Sequence, residues 1–265
     1  IIAAHNFGFD TKLLFFPEYK TDSIIVQINL VKVTHVDSSL FEFIFKRHTN
    51  RRPFKREPIP ALISKSLIDI ADSFKGSHLY WINDQPTINR LALLIKQTDT
   101  IMYEHPRLHS DLFKWIRWTG EEVIRTGDGL SIKSLEVSKL QEAGFKVLSS
   151  WKTMNFLNRF GVSRFVSNYS YKLAKSSAAI GLIVMDSNIP EDFINGGRLF
   201  ERIWITATSQ GLSLHPMCPI VVLTTIYLLF GGKGFGEKHQ KVLRHVYDEM
   251  VYIFPIKKEN ALIIL

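Results

Sequence analysis

Three arginines and a hydroxyl fall within six residues at Arg47-His48-Thr49-Asn50-Arg51-Arg52, and Pro53-Phe54 return the chain to a core. Guanidinium groups grip phosphate or carboxylate in bidentate pairs, and a threonine hydroxyl adds a neutral hydrogen bond. The run follows Leu40-Phe41-Glu42-Phe43-Ile44-Phe45, which reads as a helix ending in cations. A helix C-terminus repels phosphate, so an anion here must be held by the arginines themselves. Arg47, Thr49 and Arg51 alternate and are expected to turn inward onto one site, with Arg52 pointing away. The competing reading is a solvated basic turn, as most charge runs are.

Other chemistry is weaker. His105 and His109 are four apart, a metal-ligand spacing on a helix, but Pro106 interrupts the pair and no Glu-x-x-His accompanies it. Gly231-Gly232-Lys233-Gly234-Phe235-Gly236 lacks the Ser or Thr that a phosphate loop places after its lysine, and reads as a helix–helix connection. Cys218, the single cysteine, sits between Met217 and Pro219 and reads as a buried, inert thiol. With one cysteine neither an internal disulfide nor a Cys/His metal cluster can form, which suits a reducing, cytoplasmic setting. No Ser/His/Asp or paired-carboxylate constellation is present.

These residues need a scaffold, and the chain has material for one. It has 265 residues, 46% of them hydrophobic and 12% aromatic, so a sizeable core is expected and disorder is not. The formal charge of +8 favours anionic ligands. It is scattered among acids without a basic stripe or groove-reading helix, so a nucleic-acid partner is not expected. The longest apolar run, Ile220 to Phe230, is too short to span a bilayer, and no membrane association is expected. Ile1-Ile2-Ala3-Ala4 reads as mid-helix and Ala261–Leu265 as mid-strand. The sequence is therefore expected to be a fragment lacking both natural ends.

Periodicity predicts an α+β chain. A helix end stopped by Gly8 precedes a strand at Lys12–Phe16, and a second strand covers Ser23–Val33. Asp37-Ser38-Ser39 is expected to cap the helix that runs into Arg47. Pro58-Ile59-Pro60 opens a further helix, and His78–Ile82 is a strand. Residues 87–118 read as long helix, interrupted at His105-Pro106. Residues 119–172 are the least regular, punctuated by Gly120, Gly127, Gly129, Gly144 and Gly161, as in a lid or an insertion. Ala178–Asp186 is apolar like a central strand covered on both faces. Gly196-Gly197 is read as preceding a core helix with Phe200, Ile203, Trp204 and Ala207 on one face. Gly211 closes that helix, and Leu212–Pro216 is a short strand. Ala4–Phe9 and Ala207–Leu212 repeat one helix–Gly–strand pattern.

Two of these stretches carry a resemblance. Arg47-x-Thr49-x-Arg51-x-x-Phe54, with Lys46 and His48, resembles the amino-terminal flavin motif of FMN-dependent nitroreductases. Gly197–Leu212, ending Ala207-Thr208-Ser209-Gln210-Gly211-Leu212, resembles that family's central helix. Gly127-Asp128-Gly129-Leu130 with Asn158-Arg159-Phe160-Gly161 is similar to a lid-bearing branch in which two half-domains are fused.

The resemblance implies a central, mostly antiparallel sheet flanked by helices, containing 179–185 and 261–265. It implies a remnant half-domain at 1–36, a nitroreductase-like domain at 37–265 and a lid at 119–172. FMN would be held by Arg47, His48, Thr49 and Arg51. Hydride would pass from NAD(P)H through FMN to a small organic acceptor, in a homodimer or an internally fused pseudo-dimer. The alternative is a flavin-free relative that sequesters a ligand or binds a partner. The family's second cationic pair lies after the last strand, in which this sequence ends.

Overall fold

The computed structural model describes residues 1–17, 24–34 and 37–264. Helix α1 (Ile2–Asn6) stops at Gly8, whose φ of 77° suits a residue without Cβ. It feeds an antiparallel ribbon of β1 (Phe9–Phe15) and β2 (Val26–Lys32). Helix α2 (Phe43–Lys46) is a single turn. It is followed by α3 (Ala61–Asp72), β3 (Ser77–Ile82), α4 (Gln85–Glu104) and α5 (Pro106–Lys114). A run of short pieces comes next: β4 (Ile116–Arg117), α6 (Gly120–Thr126), β5 (Leu130–Ser131) and a 3-10 turn (Ile132–Leu135). Helices α7 (Lys139–Leu148), α8 (Trp151–Asn158), α9 (Val162–Val166) and α10 (Asn168–Lys175) complete it. The chain closes with β6 (Ile180–Met185), α11 (Pro190–Ser209), α12 (Cys218–Phe230), α13 (Glu237–Ile253) and β7 (Ala261–Ile264).

The fold is α+β, built on a small antiparallel sheet in the order β3-β6-β7. Every residue of β6 is buried, as its unbroken apolar run predicts for a strand covered on both faces. Ile180, Leu182 and Val184 pack with Ile88, Leu91 and Ile95 of α4 and with apolar residues of α10, α12 and α13. Ile183 and Met185 face the other way, against Leu67 and Ala71 of α3 and Leu199, Ile203 and Ala207 of α11. Two helical layers thus sandwich the sheet. Each fully buried Leu or Ile contributes about 1.5–3 kcal/mol of transfer free energy. The expected strands at 179–185 and 261–265, and the packing on them of the expected helix at 87–118 and of the core helix that carries Phe200, Ile203 and Ala207, are present in this sandwich. Leu265 and Ser23, the outer ends of two expected strands, lie outside the described residues.

Four expectations need correction. The helix before Arg47 has one turn. Asp37 Oδ1 accepts from the Ser39 N–H at 2.9 Å, and the N–H groups of Phe41, Phe43 and Ile44 reach back three residues, so turns replace helix there. Gly196-Gly197 lies inside α11. Pro190 in the first turn with Glu191 and Asp192 beside it starts the helix earlier, and the burial of Gly196 offsets the glycine cost. Leu212–Pro216 is reduced to one parallel bridge, Leu214 to Thr49. Cys218 is exposed at the start of α12, although crowding of its thiol still pushes its pKa up.

The 119–172 segment is more ordered than its glycines suggest. It builds a satellite core in which Ile132 packs with Phe113, Ile116 and the half-buried Trp118 and Phe145. Gly129 is required there. Its φ is 78°, and a Cβ would meet the Trp115 carbonyl oxygen at 2.7 Å. No described helix is long and apolar enough to cross a membrane.

Candidate functional site

The basic turn alternates as its spacing predicts. Arg47, Thr49 and Arg51 are half-buried, whereas His48 and Arg52 are exposed. The inward residues do not share partners, however. Arg47 turns to α11, where its Nε lies 2.9 Å from Glu201 Oε1 and its guanidinium carbon 4.3 Å from the Trp204 ring. The pair is out of line for a hydrogen bond, and the buried Nε has no acceptor. Arg51 reaches the opposite way, and its Nη1 donates to the Ser134 carbonyl at 2.9 Å. Burial pulls the Arg51 pKa below its ordinary value. His48 only closes a local contact, its Nδ1 lying 3.0 Å from the Lys46 carbonyl. Arg52 pairs with Glu136 at 3.2 Å.

Thr49–Arg51 is clasped to the chain that leaves α11. Thr49 bridges Leu214, and the Asn50 N–H donates to the Leu214 carbonyl at 2.9 Å. His215 Nδ1 donates to the Asn50 carbonyl at 2.6 Å. Burial holds the His215 pKa below the ordinary imidazole range. The ring is therefore neutral at neutral pH, with Nε2 left as an acceptor. From the 119–172 segment, the Tyr169 hydroxyl donates to the Arg51 carbonyl.

A cavity lies on each side of this clasp. The first, about 450 Å³, runs along the sheet edge and the end of α11 and takes in Asn50, Lys55, Arg56, Trp81 and His215. Arg56 holds the left-handed region at φ 60°, a strained setting for a non-glycine residue, and its Nη2 donates to the Lys175 carbonyl at 3.1 Å. Trp81 Nε1 is buried with no acceptor. The second cavity, about 930 Å³, lies beneath 119–172 and is walled by apolar groups such as Trp115, Leu135 and Phe145. Arg51, Tyr169 and His215 stand at its polar margin.

No family model matches the sequence. The chain is similar to a Mycobacterium tuberculosis (strain CDC 1551 / Oshkosh) protein named "Uncharacterized protein MT1398", with 23% identity over 186 residues. The match covers 69% of this chain and 25% of the relative, so the chain spans about a quarter of that protein's length.

The sequence reading found the turn but not the clasp. Lys55, Arg56, Trp81 and His215 escaped it, because they converge from three separate segments. The strained Arg56 has no sequence signal. His215 had one, as an ionisable residue just before Pro216, next to the apolar Leu214. The histidine pair at 105 and 109 is spent on backbone: His109 Nε2 lies 2.8 Å from the Leu148 carbonyl and His105 Nε2 3.2 Å from the Gly234 carbonyl.

Proposed function

We propose that the chain is a nitroreductase-type flavoprotein module that passes hydride from NAD(P)H through FMN to a small organic acceptor. The carrying observation is the pairing of cavities at the clasp. A groove with cations and a buried, acceptor-seeking Trp81 N–H meets a large apolar cavity at His215, with Arg51 on the margin of the apolar cavity. An amphipathic ligand with an anionic tail and a flat ring matches that pairing. The donor set suits FMN in part. Arg51 uses one of its five N–H donors on Ser134 and keeps others for an anionic or carbonyl edge. Lys55 and Arg56 add charge in the groove. Arg47 is placed on Glu201 instead, so its role is to hold the turn against α11.

FMN, when bound, supplies the hydride chemistry, and the chain binds and orients it. A half-buried guanidinium beside the polar edge of the ring stabilises negative charge there. Neutral His215 fixes the Asn50 carbonyl and so keeps the turn in register. The cytoplasmic setting and the homodimer or pseudo-dimer arrangement belong to the same proposal. Gly8 and Gly211 each end a helix at φ 77°, which gives the repeated helix–Gly pattern a matching local geometry.

A specific observation favours the flavin-free alternative. Arg47, Arg51 and Arg52 each already have a partner in the chain: Glu201, the Ser134 carbonyl and Glu136. In that reading the turn latches the lid, and the apolar cavity sequesters a ligand. Quenching of FMN fluorescence by the purified protein separates the two. Saturable quenching, with NAD(P)H oxidation when a quinone is added, supports the flavoprotein. Unquenched FMN at all protein concentrations supports the alternative.

A further inference from the structure

Asp99 lies in the middle of α4, behind the wall of the apolar cavity. One of its carboxyl oxygens, Oδ2, is hydrogen-bonded to Ser170 Oγ. The other, Oδ1, is buried with no partner. Ser170 and Tyr103 are themselves part of the cavity wall. A carboxylate with a desolvated, unpaired oxygen is costly, whereas a carboxylic acid is not. Burial accordingly raises the Asp99 pKa to about 6, with only Ser170 opposing it. The titratable groups that face it are Tyr103 on α4 and Cys218 at the start of α12. Both have pKa values pushed up, so both are neutral near neutral pH. Helix α10 offers the neutral Ser170 hydroxyl.

We infer that Asp99 and Ser170 form a proton relay into the lid cavity, which takes an apolar aromatic carbonyl compound of the quinone class as the acceptor. When Asp99 is protonated, its O–H donates to Ser170 Oγ, and the Ser170 O–H turns to the ligand carbonyl. When Asp99 is ionised, it captures that O–H and the ligand loses its donor. Hydride transfer to one quinone oxygen, with the dihydronicotinamide oxidised, forms the first hydroquinone O–H and leaves an oxyanion on the other oxygen. The Ser170 O–H bond breaks and its proton forms the second hydroquinone O–H. The Asp99 proton moves to Ser170 Oγ, and the carboxylate takes a proton back from water. This reduction rests on the hydride reading above; the recognition of the carbonyl does not.

The test is naphthoquinone binding to the flavin-free protein, followed by quenching of tryptophan fluorescence across pH 5 to 8, a span about the Asp99 value. Binding is expected to weaken several-fold as pH rises through about 6. Asp99→Asn donates permanently to Ser170 Oγ and should bind tightly with a flat pH profile. Ser170→Ala should bind weakly with a flat profile. Infrared spectra should show a protonated carboxyl band that is lost with the same midpoint and is absent from Asp99→Asn. Circular dichroism confirms that the variants are folded. A pH-independent wild type, or a wild-type profile retained in Asp99→Asn, overturns the relay. FMN that fails to bind while the pH-dependent quinone binding persists overturns the flavoprotein reading alone.

Discussion

At the scale of residues, charge at the turn is divided between two tasks. Arg47 packs against Glu201 and Trp204, whereas Arg51 stands at the margin of the larger cavity. Arg51→Ala is therefore expected to weaken FMN binding by about 1.5–3 kcal/mol, the worth of a hydrogen bond to a charged group. Arg47→Ala should leave the affinity within twofold but lower stability by about 1 kcal/mol, as a half-exposed ion pair and a cation–π contact together suggest. Titration and urea unfolding of both variants check this division. Asp99 gives a second prediction at this scale. Its pKa is raised from 3.8 to about 6 in the fold, so the folded state binds the extra proton between those values. Stability is then fully present below pH 4 and falls as pH rises through 6, by on the order of 2–3 kcal/mol. Asp99→Asn should remove that decline in unfolding curves measured from pH 4 to 8. The alternation of Arg47, Thr49 and Arg51 was legible in the sequence, because alternate residues of an extended stretch share a side. Their divergence was not, since Glu201 and Ser134 approach from segments more than eighty residues away.

At the scale of elements, periodicity located the secondary structure and missed part of its extent. The apolar run of β6 and the break at His105-Pro106 follow from local chemistry, burial on both faces and a missing N–H. The early start of α11 through Gly196-Gly197 does not, because the compensation is tertiary burial against α3 and the sheet. The short helices of 119–172 were hidden for the same reason: each is marginal alone and is held by the shared core around Ile132 and Phe113. That segment is latched by Arg51 to Ser134, Arg52 to Glu136 and Tyr169 to Arg51. Trypsin should therefore cut at Lys133 and Lys139 several-fold faster in Arg51→Ala than in the parent, with the sheet-flanking helices still protected. Equal cleavage rates would show that the latch does not hold the segment. Gly129→Ala should loosen the same region, since its Cβ has no room against Trp115 and φ is left-handed.

At the scale of the whole molecule, the amino-terminal ribbon meets the sheet sandwich at its surface, where Phe15 lies 5.8 Å from the Arg198 guanidinium of α11. None of the described residues before position 37 is buried, whereas both helical layers meet on β6. A chain beginning at Asp37 is expected to unfold cooperatively within a few degrees of the parent, as followed by far-ultraviolet circular dichroism. A broad or strongly shifted transition would make the ribbon part of the core. The α+β class was readable from alternating helical and strand periods. The two cavities were not, because they arise between layers rather than along the chain. They carry the functional proposal, which one measurement tests most directly. FMN is titrated with the purified protein and its fluorescence followed, in parallel with Arg51→Ala. Saturable quenching by the parent, with at least a tenfold weaker affinity in Arg51→Ala, is the predicted result, a factor of ten being about 1.4 kcal/mol. Free FMN fluorescence throughout, or equal affinity in both proteins, would contradict it.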